Sequence, residues 1–170
     1  MVDSLSKSRN TGFTLVELLI VIVVIAILAA LSIVAYNGIQ NRSNETAVKS
    51  DMSNVIKKLE LAKIELGRYP QTAAEMPSGL KFTKSAYATS MHNVLYCVNK
   101  VTDRYAFAIV SKPGTGYILT SPGNIQEGVT ANSSTACSAI GASWANNASN
   151  AVLHGYSTST GWLSSWSWTN

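Results

Sequence analysis

Histidine is almost absent from this 170-residue sequence, and metal-ligating side chains do not cluster in it. His92 and His154 are far apart, and with Cys97 and Cys137 they form no zinc or iron spacing. No glycine-rich loop of the phosphate-cradling kind occurs, and Lys112-Pro113-Gly114-Thr115-Gly116 reads as a hairpin turn. Serine is plentiful, but serine without a placed base is no nucleophile. These absences argue against an enzyme, and neither a cofactor nor a metal is expected.

Charge is scarce in one long stretch. Between Phe13 and Ala35 only Thr14, Glu17 and Ser32 are polar, and there is no proline. As a helix this run measures about 34 Å, enough for a hydrocarbon core of roughly 30 Å. Its one carboxylate, Glu17, is the fifth residue after Gly12. A charge in such a run costs roughly 2.5–3.5 kcal/mol at a bilayer centre, so it calls for a partner. A plain single-span anchor would have no need of it. The nearest candidate cation is a new amino terminus, made by a cut between Gly12 and Phe13. Residues 1–12 are polar, with Lys7 and Arg9 against Asp3, and they end where the apolar run begins. An ordinary secretory signal is cut after its apolar segment instead. The basic residues place the leader on the cytoplasmic side and the rest of the chain outside.

Lys7, Arg9 and then Gly12-Phe13-Thr14-Leu15-Val16-Glu17 ahead of the apolar run resemble the amino terminus of type IV pilins and pilin-like proteins. The resemblance covers about the first third of the chain. It implies that a prepilin peptidase cuts after Gly12 and methylates the amine of Phe13. It also implies that Glu17 meets the Phe13 amine of a neighbouring subunit, so that docking relieves the penalty of a buried charge. Ala26, Ala29 and Ala30 either let neighbouring helices approach closely or are ordinary filler. The run departs from many family members in lacking proline, which leaves Gly38 as its weak point.

Beyond the span, Val48, Met52, Val55, Leu59, Ala62 and Leu66 recur at helical spacing, with charged residues largely between them. Gly67 and Pro70 end the pattern. The expectation is one helix from about Thr14 to Leu66, near 80 Å long. A free coiled coil is the alternative, with only about three heptads to support it. Segments 94–101, 105–111 and 116–120 read as strands of an antiparallel meander that covers the apolar stripe. The predicted fold is α+β: leader 1–12, membrane and assembly helix 13–35, amphipathic stalk 36–66, and a β-sheet head 67–170. Gly67-Arg68-Tyr69-Pro70 at the end of the helix also resembles pilin-like proteins.

The segment from Thr130 to Asn170 is rich in Ser, Thr, Asn, Ala and Gly and holds Trp144, Trp162, Trp166 and Trp168. Trp162, Trp166 and Trp168 share one strand parity. They either pack onto the sheet or form an exposed platform for a glycan or surface. An extracytoplasmic head permits a disulfide between Cys97 and Cys137. The resemblance implies such a staple of the carboxy-terminal region; two buried free thiols are the alternative. Asn44, Asn132 and Asn147 start glycosylation sequons, which arise by chance in so Ser/Asn-rich a chain. Loss of the leader removes Lys7, Arg9 and Asp3, leaving 11 of 13 basic and eight of nine acidic side chains. That mild excess would favour DNA. Along the helix, however, acids and bases interleave as on a solvated face.

By resemblance the leading expectation is a structural subunit of a type IV pilus. It would wait in the cytoplasmic membrane, lose its leader, and polymerise with copies of itself. A prepilin peptidase, an assembly platform and an ATPase would be its partners, in support of adhesion, twitching motility or DNA uptake. A surface glycan or DNA is a further candidate ligand. The alternatives are the pseudopilin of a type II secretion-like system and a membrane-anchored carbohydrate-binding module. Major pseudopilins often hold calcium with carboxylates, but beyond Asp103 this chain has only Glu127.

Overall fold

The computed structural model describes residues 12–89, 93–144, 150–157 and 161–168, the last two segments largely as backbone. The chain divides into two compact units, Met1–Ile39 and Gln40–Asn170.

Helix α1 spans Leu15–Leu66 without a break, Gly38 included. In the first unit its apolar side chains are exposed throughout, from Phe13 and Leu15 to Val34 and Tyr36. Ser32 is a polar exception, and its hydroxyl donates to the Leu28 carbonyl at 2.7 Å within the same helix. In the second unit Val48, Met52, Val55, Leu59 and Ala62 are buried, as the helical spacing predicts. Leu66 is not: it is 42% exposed, because the helix ends there and the chain turns away. Gly67 takes φ 74°, the left-handed conformation that closes a helix.

The residues after Gly67 are tied down one by one. Arg68 makes a two-pronged pair with Glu75 at 2.8 and 2.9 Å. The Tyr69 hydroxyl donates to Glu60, and its backbone N–H donates to Asp103. The Pro70 carbonyl accepts from the buried Tyr96 hydroxyl at 2.8 Å. Two short 3-10 turns follow, Ala73–Glu75 and Lys84–Ala86.

The head is built on a six-stranded antiparallel sheet. Its strands are β1 Asn93–Asn99, β2 Arg104–Val110, β3 Gly116–Thr120, β4 Asn124–Glu127, β5 Asn150–Ser157 and β6 Gly161–Trp168. The spatial order is β4-β3-β2-β1-β5-β6, so the last two strands join the β1 side. The predicted meander corresponds to β1–β3, with the ends of β1 and β2 shifted by one or two residues and β3 as predicted, while β4, β5 and β6 are additions to it. The predicted hairpin turn at 112–116 is present: the N–H of Gly114, at φ 100°, donates to the Ser111 carbonyl. The Ser111 N–H donates in turn to the Thr115 carbonyl.

Strands β1 and β3 are buried along their whole length, and β2 is buried beyond Arg104. The reason is that both faces of the sheet are covered. On one face Tyr96, Val98, Tyr105, Phe107, Ile109, Tyr117 and Leu119 pack with the buried stripe of α1. On the other, Leu95, Cys97, Ala106, Ala108 and Ile118 pack with Ala136, Cys137 and Ile140. Ala136 and Cys137 belong to a short helix α2, Ser133–Ser138, capped by Asn132, which accepts from the Thr135 N–H. Large side chains face α1 and mostly small ones face α2, so a short helix can lie close to the strands. Cys97 and Cys137 form a disulfide that joins β1 to α2. Closing a loop of this length stabilises by about 4 kcal/mol on the chain-entropy estimate.

Candidate assembly site

The amino-terminal site is built around the first turn of α1. Thr14 precedes the helix, and its hydroxyl accepts from the Glu17 N–H at 3.2 Å. Glu17 reaches back and accepts from both the Thr14 N–H and the Thr14 hydroxyl, each at 2.8 Å. This reciprocal arrangement is a capping box: it satisfies donors that no preceding turn can satisfy and sets negative charge at the positive end of the helix. The pattern Thr-x-x-Glu is readable in residues 14–17. Against the long apolar run, Glu17 stands out as a lone charge, and that contrast masks its local role.

Phe13, beside the expected cut, is 86% exposed, and Gly12 is exposed as well. Residues 1–11, with Lys7 and Arg9, lie outside the described residues. Among the described residues Glu17 has no cation beside it, and both of its hydrogen bonds from Thr14 fall on one carboxylate oxygen, Oε2.

The other expected site residues lie in the head. Cys97 and Cys137 are both fully buried and bonded to each other. Trp162, Trp166 and Trp168 fall on β6, where Trp162 pairs with Tyr156 and Trp168 with Leu153. The ladder shifts register between His154 and Tyr156. The three indoles themselves lie outside the described residues, as does Asn147; Trp144 is 52% exposed.

One structural carboxylate escapes the periodic reading. Asp51 occupies a position expected to be solvated, yet it is only 7% exposed. It accepts from the Thr83 N–H at 2.6 Å, the Thr83 hydroxyl at 3.3 Å and the Tyr87 hydroxyl at 2.9 Å. Burial and the adjacent Asp51 carboxylate push the Tyr87 hydroxyl far above its ordinary pKa. Asp51 therefore fastens the 67–89 connection to α1.

Residues 7–33 match the family model for the prokaryotic N-terminal methylation motif. The chain is 34% identical over 116 residues to the type IV wide pilus major component PilA4 of Thermus thermophilus, covering 67% of this chain and 84% of that protein. It is 31% identical over 116 residues to the type II secretion system core protein G of Klebsiella pneumoniae, covering 68% of this chain and 77% of that one. The core protein G of Pectobacterium carotovorum is 31% identical over 121 residues, covering 69% and 71%. No solved structure matches the chain. The motif, the extent of these likenesses and the fold agree: the chain belongs to the type IV pilin family.

Proposed function

We propose that this chain is the repeating structural subunit of a type IV pilus. It is cut after Gly12, methylated at the Phe13 amine, and polymerised through the helix 13–35. The observation that carries this is the exposed apolar surface of α1, continuous from Leu15 to Val34 and headed by Glu17. Such a surface needs lipid or other copies of itself to cover it. As a precursor the protein spans the cytoplasmic membrane once; assembled, it stands on the cell surface. Its role is structural, and prepilin peptidase, assembly platform and ATPase serve as its partners. Adhesion, twitching motility and DNA uptake are the activities such a filament would support.

The test is mass spectrometry of the amino-terminal peptide from filaments sheared off the source cells. A peptide that starts at Phe13 and carries one added methyl group supports the proposal. Finding only uncut chains confined to the membrane would sink it and favour the anchored carbohydrate-binding module.

The likeness to core protein G favours a second reading, the pseudopilin of a type II secretion system. Against a calcium-holding head, Glu127 is the one acid beyond Asp103, and it pairs with Lys49 at 2.8 Å. A head whose melting temperature rises with calcium would restore that reading.

A further inference from the structure

The interleaved charges of α1 do not stay interleaved once the head has folded. Every side-chain carboxylate of the second unit except Glu65 is drawn onto a partner within the head. Glu45 accepts from Thr115 and Glu60 from Tyr69, and Asp51 is buried. Glu75 pairs with Arg68, Asp103 with Lys63, and Glu127 with Lys49. Lys57, Lys58 and Lys81 have no carboxylate partner among the described residues. They converge on a groove of about 380 Å³ with no acid among the described residues that line it. Leu61 and Leu80 supply apolar wall and Asn54 an amide. Lys58 reaches the Ser78 carbonyl at 3.4 Å, a long contact that leaves its other protons for a ligand. Glu65 lies one helical turn beyond Leu61 and does not line the groove.

From this we propose that the groove binds a carboxylated saccharide. Sugar rings present apolar C–H faces that suit Leu61 and Leu80, and their carboxylates meet the three ammonium groups at the rim. A second copy of this chain is a poor occupant, because among the described residues its head offers Glu65 as the one side-chain carboxylate not already engaged. Duplex nucleic acid is convex and brings no apolar face, and among the described residues the lining has neither arginine nor an aromatic ring for it. Among the described residues that line it, none belongs to β6.

The test uses the full chain in nonionic detergent, titrated with oligogalacturonate, with uncharged dextran and duplex DNA as comparators. Oligogalacturonate should bind, dextran should not, and added salt should weaken binding. The combined variant Lys57→Gln/Lys58→Gln/Lys81→Gln should lose about tenfold or more in affinity. Leu61→Ser should lose affinity with the charge intact. Lys100→Gln/Arg104→Gln, which has the same kind of charge loss outside the groove, should bind as the native chain does. The proposal is overturned if oligogalacturonate does not bind or if the triple variant binds it normally. It is equally overturned if the control variant loses as much, or if DNA binds more tightly through the same lysines.

Discussion

At the scale of single residues, Glu17 has two separable roles. Its local role is to cap α1 with Thr14; its proposed role is to carry charge to a neighbour. Glutamine keeps the capping geometry but not the charge. Glu17→Gln should therefore leave amide protection over the first turn of α1 intact while filament yield falls. Thr14→Ala should do the reverse, loosening the first turn by about 1 kcal/mol with filaments still formed. If Glu17→Gln assembles normally, charge pairing between subunits is not what Glu17 supplies. Asp51 is a purely structural case. Asp51→Ala removes the acceptor that the Thr83 N–H and the Tyr87 hydroxyl share, which should cost about 3 kcal/mol in urea unfolding of the head. An unchanged midpoint would show that the 67–89 connection is held by something else.

At the scale of elements, the sequence is legible wherever burial is one-sided. The stripe Val48 to Ala62 announces α1 because one side of the helix packs and the other is wet. The central strands give no such contrast and are read instead from apolar runs bounded by turn residues. With a layer on each face, polar residues such as Asn93, Asn99 and Thr120 are confined to strand ends, and between them only size alternates: Tyr105, Phe107 and Ile109 against Ala106 and Ala108. Strands β5 and β6 are hidden for another reason, since Ser, Gly and Asn punctuate them like a loop. Pairing with β1 draws β5 into the sheet, and β6 follows on β5, which is a tertiary fact. The lysine groove is illegible likewise, because it exists only once Glu60, Asp103 and Glu127 have found their partners. Close packing at the start of β3 can be tested at Gly116, where an added Cβ would collide with the Val129 carbonyl. Gly116→Ala should destabilise the head by about 1–3 kcal/mol, and a native urea midpoint would refute the close approach.

At the scale of the whole molecule, stability should hold a broad plateau with two edges. Arg68 and the Gln71 N–H hold the Glu75 carboxyl at a pKa of about 2, below its ordinary 4.5. A depressed carboxyl stabilises the fold above its unfolded pKa, and that contribution is lost as pH falls from 4.5 through about 2. Tyrosines behave in the opposite sense. Burial raises Tyr69, Tyr96 and Tyr105 above their ordinary pKa, and it raises Tyr117 to about 12. Their neutral forms stabilise the fold fully below pH 10.0, and the benefit is lost as pH climbs toward 12 and beyond. Tyrosinate absorbance should then rise together with loss of the head's circular dichroism. Ionisation of these tyrosines near pH 10 in a still-folded head would contradict it. Glu75→Gln should flatten the acid edge alone.

The strand order also imposes a timetable. While the chain is being made, β1 can pair with β2 soon after both exist, but its other edge must wait for residues 150–157. During that interval one side of the nascent sheet is an open template, able to recruit a strand from any chain close by. Membrane-tethered chains crowded side by side would be exposed to this hazard, so the last strands to emerge act as a seal. Truncation before Asn150 should be punished by mispairing between chains well before it is felt as lost packing.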